Sequence, residues 1–499
     1  MDILNYLLAG FSVALTPTNL LFCFVGALVG TLVGVLPGIG ATVTIAILTP
    51  ISVGLEPTTA IIMLAGIYFG AMYGGSTTAI LVNIPGEAAS VATTLDGYKM
   101  ARQGRAGPAL GMSAIASFVA GTISLVLLVL LATPLASYAL AFGPPEYFSL
   151  IVLGLTIVVS LAGKSLPKGI MAGVFGMLLA TIGQEPVTGQ TRFTYGNVDL
   201  MAGIDFVAVV VGLFALPEVL ENMEGAAAEV YETKLKNIFP TLQDWKDSAG
   251  AMVRSALLGF FIGVLPGSSG AVAAFMAYDV EKKCSKHPEK FGTGVIEGVA
   301  ASEGANNAAV SGAMVPLLSL GIPVSAPLAV LLGAFILHGL KPGPMLFQEN
   351  PQFVWALIAS MYVGNFMLLL LNLPLVGVWA QLIKVPYPFL APGILALCLI
   401  GAYGIRNNMF DVYVAFGIGV LGYIMKKLEY PTAPVVLALI LSPMLESRLS
   451  QSLTISSGDP TIFLTRPASL VLLLLAAASV LYSIYSRRKE DRSFESTIE

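Results

Sequence analysis

The chain has 499 residues, of which 56% are hydrophobic and only 11% are charged, and its formal net charge is −4. Soluble domains carry roughly 25% charged residues, so this composition excludes a water-soluble fold and indicates that the lipid bilayer is the main solvent. The near-neutral charge gives no reason to expect nucleic acid as a partner. The three cysteines and two histidines lack metal-ligand spacing, so we expect no disulfides, no transition-metal site and no bound cofactor.

Apolar segments long enough to cross the bilayer recur along the chain, and each half is predicted to contain a re-entrant hairpin, a broken crossing and about four further crossings. In the first half these segments are residues 26–50, 58–96, 109–133, 146–162, 168–184 and 203–220. In the second half they are residues 255–278, 292–336, 352–375, 388–405, 409–425 and 430–445. With an extra N-terminal segment and a helix at 467–485, they predict an all-α polytopic membrane protein of about 12 crossings.

The segments divide the chain into two membrane units and their connections. The predicted parts are a first membrane repeat with an extra N-terminal segment (1–225), a polar cytoplasmic linker (226–254), a second membrane repeat (255–450), an extra C-terminal transmembrane helix (451–486) and a cytoplasmic tail (487–499). Many of the 52 glycines and 30 prolines lie within the apolar segments rather than in linkers. Lipid tolerates such breaks only where the freed backbone groups find partners inside the protein, so broken helices that line a cavity are expected.

An internal duplication is indicated by an ordered series of matches between the halves. Residues 34–38 and 263–267 share the sequence GVLPG, and each block is followed by small residues. Further matches align residues 74–79 with 304–309, Ile84-Pro85 with Ile322-Pro323, and 174–177 with 415–418. The order of the matches favours duplication over chance coincidence of Gly and Pro.

The charges of equivalent loops indicate that the two repeats have opposite orientations. Residues 50–57 contain no Lys or Arg, whereas the equivalent loop 281–290 contains four lysines. The next pair shows the reverse, because loop 97–107 contains three basic residues and loop 337–344 contains only Lys341. Since basic loops stay in the cytoplasm, this pattern predicts inverted-topology repeats, which secondary transporters use to build a site near the bilayer midplane.

The two GVLPG blocks are the first candidate site. Proline and glycine in apolar surroundings break helices and leave unpaired N–H groups at the start of the next helix, where a carboxylate binds favourably. The residues assigned to the solute from these two tips are Pro37, Gly38, Gly40, Pro266, Gly267, Ser268 and Ser269. A packing kink between closely apposed helices is the alternative interpretation.

Two polar clusters form the second candidate site. Ser76, Thr77 and Asn306 are assigned to the solute, and the coupling cation, Na⁺ or H⁺, is assigned to Thr78, Asn83, Glu303 and Asn307. Hydroxyl and amide oxygens suit a hard cation, and a carboxyl group within the membrane is costly unless it has a function. Interhelical hydrogen bonding is the alternative. Glu87 is a weaker candidate for the same coupling role. The segment from Asp96 to Gly107 is predicted to be a basic cytoplasmic loop.

These motifs resemble the large membrane subunit of the tripartite tricarboxylate transporter (TctA) family over essentially the whole chain. The motifs that carry the resemblance are the two GVLPG blocks, residues 75–86, 96–107 and 301–309, and Ile322-Pro323. The resemblance implies a multi-pass protein of the bacterial inner membrane with two partners, a small four-helix membrane subunit and a periplasmic solute-binding protein. It further implies uptake of citrate-like tricarboxylates or related organic carboxylates, driven by a Na⁺ or H⁺ gradient.

Two other classes of function compete with this interpretation. A passive carboxylate channel has the same composition, and only accumulation of solute against its gradient separates the two. An intramembrane enzyme is disfavoured because the sequence contains neither a G-x-S-x-G nor an H-E-x-x-H motif. We therefore predict no catalytic residues. A nucleotide-driven pump is disfavoured because no G-x-x-x-x-G-K-[ST] motif is present.

Overall fold

The computed structural model describes residues 3–36, 40–161, 165–185, 188–224, 238–265, 270–383, 385, 387–404 and 406–498, and most of them are helical. In lipid every backbone polar group needs an internal partner, which an α-helix supplies within one segment. The helices of the first half are α1 (Ile3–Ala14), α2 (Pro17–Val35), α3 (Gly40–Ser52), α4 (Pro57–Val82), α5 (Val91–Arg102), α6 (Ala106–Ala139), α7 (Pro144–Leu161), α8 (Leu166–Ala180), α9 (Phe206–Val210) and α10 (Leu216–Glu224).

A π-helical turn, Val211–Ala215, joins α9 and α10 into one continuous helix. The short strands β1 (Gly183–Gln184) and β2 (Thr191–Arg192) pair antiparallel in the loop before α9. The helices of the second half are α11 (Leu242–Val264), α12 (Gly270–Cys284), α13 (Ile296–Leu320), α14 (Ala326–Leu337), α15 (Leu346–Glu349), α16 (Pro351–Asn372), α17 (Val376–Leu382), α18 (Tyr387–Gly404), α19 (Met409–Lys427), α20 (Ala433–Ile455), α21 (Ile462–Thr465) and α22 (Pro467–Ile498).

Among the described residues, eight helical segments are long and apolar enough to cross a membrane: α2, α4, α6, the continuous α9–α10 helix, α11, α16, α19 and α20. Shorter apolar helices lie between them. The prediction of an all-α, multi-pass membrane protein is therefore confirmed.

Several predicted segment boundaries differ from the structure. Helix α2 begins at Pro17 instead of 26, and α20 ends at Ile455 instead of 445. Helix α11 begins at Leu242 instead of near 255, because Thr241 and Asp244 form a reciprocal capping box at its first turn. The predicted linker, 226–254, therefore overlaps the start of this helix, and its residues 226–237 lie outside the described part. Helix α22 continues to Ile498, past the predicted start of the tail at 487.

Close glycine contacts hold α2 against α4. Gly30 and Gly34 of α2 lie against the backbone of Ile67 and Ala71 in α4, so that a Cβ on either glycine would overlap backbone atoms. Association of helices in lipid depends on close packing of this kind, since no hydrophobic force drives helices together there.

Helices α11 and α13 pack in the same way. Gly259 and Gly263 lie against the backbone of Ala305 and Ala309. Each pair therefore uses two small residues four apart on one helix face. These contacts fix the positions of α4 and α13, which carry most of the candidate site.

The two predicted broken crossings are also broken in the structure, and the breaks have the same geometry. Helix α4 is capped by Asn83 with φ 60° and ψ 24°, and α13 is capped by Gly321 with φ 72° and ψ 23°. Left-handed caps of this kind are typical of Gly and Asn. An Ile-Pro pair follows each cap and prevents the helix from continuing.

Helices α4 and α13 lie in the interior of the protein. Helix α4 packs against α2, α16 and α3, and α13 packs against α11, α6 and α12. Nearly every residue of both helices is buried. The polar side chains on these two helices therefore face protein rather than lipid.

Candidate functional site

Glu303 lies at the centre of a hydroxyl cluster that joins the two halves of the chain. Its side chain is fully buried, with 0% exposure. One carboxylate oxygen accepts a hydrogen bond from Ser76 on α4, and the other accepts one from Thr93 on α5. Thr93 Oγ1 lies 3.0 Å from Ser302 Oγ. The structure thus brings together Ser76 and Glu303, which the sequence analysis placed in facing clusters.

The carboxylate oxygens of Glu303 are held by hydroxyl groups rather than by a basic side chain. An ionised carboxylate buried without a counter-charge is strongly unfavourable. A group in this setting is stabilised either by a bound proton or by a cation that shares its hydroxyl shell. The arrangement is therefore chemically suited to bind one or the other.

Asn307 is held in place next to this cluster. Its Nδ2 donates to Ser117 Oγ on α6 at 2.7 Å and to the backbone oxygen of Glu303 at 3.2 Å. Its Oδ1 is buried and has no hydrogen-bond partner in the part of the chain that the structure describes. One amide oxygen is thus available beside Glu303.

Asn306 is the most unusual polar residue of the site. Its side chain is 0% exposed, and neither Nδ2 nor Oδ1 has a hydrogen-bond partner among the described residues. The amide lies at the start of α12, where a Cβ added to Gly270 would contact Asn306 Oδ1 and Ala89. The Ser90 hydroxyl, next to Ala89 in the chain, is also buried and finds no partner within the described ranges. Each such group costs about 1–3 kcal/mol, so this arrangement points to a ligand that satisfies these groups.

At each GVLPG tip one helix ends and another begins, as the sequence predicts. Helix α2 ends at Val35 and α3 begins at Gly40, whereas α11 ends at Val264 and α12 begins at Gly270. The tip residues to which the solute was assigned, Pro37, Gly38, Pro266, Gly267, Ser268 and Ser269, lie outside the described residues.

The start of α3 holds a carboxylate that belongs to the chain itself. Gly40 adopts a left-handed conformation with φ 64°, and the N–H of Ala41 donates to Glu87 Oε1 at 2.6 Å. A carboxylate is favourable there because the N–H groups of the first turn lack partners within the helix. Glu87 therefore has a defined hydrogen-bonding position at the N-terminus of α3.

Two of the predicted site residues, Thr78 and Asn83, bond elsewhere or lie apart from the Glu303 cluster. Thr78 Oγ1 donates to the backbone oxygen of Gly75 at 3.1 Å. Thr77 is buried next to it. Asn83 is exposed as the C-cap of α4, and seven residues of helix place it roughly 10 Å along the axis from Ser76. Asn83 therefore serves to end the helix in this structure.

The predicted loop from Asp96 to Gly107 is wrong over most of its length. Helix α5 extends to Arg102, and Asp96 is buried with 1% exposure. Its Oδ1 accepts from the backbone N–H groups of Gly292, Gly294 and Val295 at 2.9, 2.7 and 3.0 Å. The Tyr278 hydroxyl donates to Oδ2 at 2.7 Å. The prediction placed Asp96 in a solvent-exposed loop. In the structure its carboxylate is bonded instead by backbone N–H groups of the segment between α12 and α13.

Several residues of the site were missed by the sequence analysis, namely Ser90, Thr93 and Ser117. Thr93 and Asp96 are three residues apart, so they share a face of α5. This spacing indicates a helix with one polar face, and that face contacts the rest of the protein. Ser90 and Ser117 lie in apolar or weakly polar surroundings that do not distinguish them from other serines.

Comparison with known proteins identifies the family. The sequence matches the family described as "Tripartite tricarboxylate transporter TctA family" over residues 20–437. A protein of Agrobacterium vitis described as "Uncharacterized 52.8 kDa protein in TAR-I ttuC' 3'region" is 47% identical over 497 residues, covering 99% of each chain. A second, "Uncharacterized protein in TAR-II ttuC' 3'region" from the same organism, is 44% identical over 238 residues, which cover 47% of this chain and 98% of the relative. No solved structure matches significantly. The chain belongs to the tripartite tricarboxylate transporter TctA family.

Proposed function

We propose that this chain is the large membrane subunit of a binding-protein-dependent secondary transporter in the bacterial inner membrane. In this proposal it takes up tricarboxylates such as citrate, or related organic carboxylates, with the gradient of Na⁺ or H⁺ as the energy source. It works with a small four-helix membrane subunit and a periplasmic solute-binding protein. Family membership supports transport of this class.

The observation that carries the solute site is the contrast between the two helix N-termini at the tips. At the start of α3, the carboxylate of Glu87 bonds to Ala41 N–H. At the start of α12, the neighbouring side chain is the unpartnered amide of Asn306. A carboxylate of the solute at α12 would gain the helix N–H groups, the Asn306 amide and the Ser90 hydroxyl.

Glu303 is the proposed coupling group. A proton or Na⁺ that binds there lowers the cost of the buried carboxylate and uses the Ser76 and Thr93 hydroxyls already in contact with it. Asn307 Oδ1 is a further neutral oxygen for a cation. Asn306 is three residues from Glu303 on α13, which places the two on neighbouring positions of one helix face. Binding of the solute carboxylate at Asn306 then favours the cation at Glu303, and this mutual preference couples the two.

The inverted-repeat hypothesis is supported by the equivalent packing of α2 on α4 and of α11 on α13. Because Gly34 contacts Ala71 and Gly263 contacts Ala309, these two alanines occupy equivalent positions in the two pairs of helices. The same alignment makes Pro85 equivalent to Pro323. In that register Asn306 corresponds to Tyr68 and not to the Ser76 region. The proposed repeats are residues 1–225 and 255–450, and the first helix of the second repeat, α11, begins earlier, at Leu242. The C-terminal helix (451–486) and the tail (487–499) follow the second repeat.

Loop contacts support the proposed orientation. Ser52 Oγ lies 2.9 Å from His338 Nε2, which joins the two loops predicted to be periplasmic. Arg105 forms an ion pair with Asp244 at 2.6 Å, and the backbone oxygen of Gly292 accepts from Lys99. These contacts group the basic loops together at the other end of the helices.

Transport by reconstituted protein tests the proposal against a passive channel. The chain, its small membrane subunit and the binding protein are placed in liposomes, and uptake of labelled citrate and succinate is followed with an imposed Na⁺ or H⁺ gradient. The proposal predicts accumulation above the outside concentration, and collapse of this accumulation when an ionophore removes the gradient. Equilibration to equal concentrations regardless of the gradient would instead establish a channel.

A further inference from the structure

A cavity of about 400 Å³ opens on the side of the protein proposed to be periplasmic. Its walls come from α7, α14, α15, α20, the end of α13 and the loop between α14 and α15. Polar groups in the lining are Tyr147, Lys341, Glu349 and Arg448. Ligand pockets typically have volumes of roughly 300–1,000 Å³, so the cavity is large enough for a small organic molecule.

The two basic residues of this cavity stand out among the cations of that side. In the proposed orientation the described helix ends and loops on that side carry five basic residues, namely Arg192, Lys341, Arg406, Arg448 and Arg466. Three of them form ion pairs: Arg192 with Glu446, Arg406 with Asp205, and Arg466 with Glu146. The two without an acidic partner among the described residues, Lys341 and Arg448, line the same cavity.

Arg448 is held in a fixed direction. Its guanidinium lies over the ring of Tyr147 with 5.1 Å between the guanidinium carbon and the ring centroid. One of its amino groups donates to Gln451 Oε1 at 3.0 Å. A guanidinium fixed in this way offers its remaining N–H groups to a carboxylate without further loss of side-chain freedom.

We infer that this cavity is a second anion site, in which Lys341 and Arg448 bind a di- or tricarboxylate before it enters the membrane. The inference rests on the proposed function, because it takes the ligand to be the transported solute. Leu320, which lines the cavity, is the last residue of α13. Fourteen residues of helix separate it from Asn306, or roughly 20 Å, so the two sites are distinct. Glu349 reduces the net positive charge of the cavity to about one. The weaker attraction favours release of the bound carboxylate.

The test uses the purified full chain and does not depend on transport. Cys23, Cys284 and Cys398 are replaced by Ala or Ser, and Met345→Cys, an exposed position in the cavity lining, is labelled with an anionic or a cationic thiosulfonate reagent. We expect the anionic reagent to react faster. Citrate and succinate at millimolar concentration should slow this labelling, whereas NaCl at the same ionic strength should not. In Lys341→Gln and Arg448→Gln the ratio of the two rates should fall roughly three- to tenfold, and protection should be lost.

Two controls sharpen the result. Tyr195→Cys, exposed on the same side outside the cavity, should show no protection by the organic acids. Glu349→Gln should strengthen protection, because it removes the acid from the lining. Equal labelling of Met345→Cys with and without citrate or succinate, or protection that requires an added anionic phospholipid instead, would overturn the inference. If protection is seen but the reconstituted system does not transport, the cavity site stands and the proposed function fails.

Discussion

The hydroxyl of Ser76 on α4 donates a hydrogen bond to the buried carboxylate of Glu303 on α13. These residues come from opposite halves of the sequence, so this bond connects the centres of the two halves. Thr93 holds the second oxygen of the same carboxylate. Any movement of α4 and α5 relative to α13 therefore changes the shell around Glu303, which links the charge of that group to the arrangement of the helices.

Replacement of Glu303 should uncouple transport without unfolding the protein. Glu303→Gln keeps the shape and one acceptor oxygen for Ser76 or Thr93, but it cannot release a proton or bind a cation as a carboxylate does. We expect gradient-driven accumulation of carboxylate to fall by at least about tenfold, or roughly 1.4 kcal/mol, while thermal stability stays close to wild type.

The matched control for this variant is Glu297→Gln, the same change in the first turn of the same helix. It should leave cation dependence unchanged. Accumulation by Glu303→Gln with an unaltered dependence on Na⁺ and H⁺ would show that Glu303 is a structural residue.

Asp96 should contribute strongly to stability. Asp96→Ala removes an acceptor that serves three backbone N–H groups and the Tyr278 hydroxyl. Hydrogen bonds to charged groups contribute about 1.5–3 kcal/mol each, and the stranded donors add a further penalty. We expect a clear decrease in the midpoint of thermal unfolding, measured on the purified chain. Asp247→Ala, an exposed residue bonded to Gln243, should change the midpoint little; similar shifts for both variants would refute the role of Asp96.

The proposed orientation can be measured by labelling from outside the cell. Single cysteines in a cysteine-free chain are placed at Gly54 and Lys341, and at Lys99 and Lys286. A membrane-impermeant maleimide should modify the first two and spare the second two, because basic loops remain in the cytoplasm. Modification at position 286 together with protection at position 341 would reverse the assignment.

Much of the fold could be predicted from the sequence because the bilayer restricts the choices. Crossings predicted at 352–375 and 409–425 correspond closely to α16 and α19, since apolar length fixes helices in lipid. Asp96 was misplaced because polarity alone does not reveal that backbone N–H groups from a distant segment surround it. In the register proposed above, Asn306 corresponds to Tyr68, whereas the sequence matches align 304–309 with 74–79; Gly and Ala recur every few residues and permit several registers.

The candidate site was predictable in composition but not in its contacts. Ser76, Glu303 and Asn307 were selected because polar groups in an apolar segment need a reason to be there. Their partners depend on the rotation of each helix, which follows from close glycine contacts such as that of Gly263 with Ala309. Asn83 was grouped with the cation shell because it is polar, whereas its left-handed conformation makes it the cap of α4.

The most direct test of the solute site compares two asparagines. Asn306→Ala removes an amide that has no partner among the residues described by the structure, and Asn365→Ala removes one that bonds to Tyr73, Thr122 and the Phe118 carbonyl. For Asn306→Ala we expect the apparent affinity for the transported carboxylate to fall roughly 5- to 150-fold, which corresponds to about 1–3 kcal/mol. Its unfolding midpoint should stay the same or rise.

Asn365→Ala should show the opposite pattern, with a lower unfolding midpoint and an affinity close to wild type once the folded fraction is taken into account. The decisive measurement is the apparent affinity of uptake, read beside the unfolding midpoint, for both variants and wild type in the same reconstituted system. Weakened affinity with retained stability in Asn306→Ala is the predicted result. Unchanged affinity in that variant, with wild-type transport intact, would contradict a solute site between Asn306 and the start of α12.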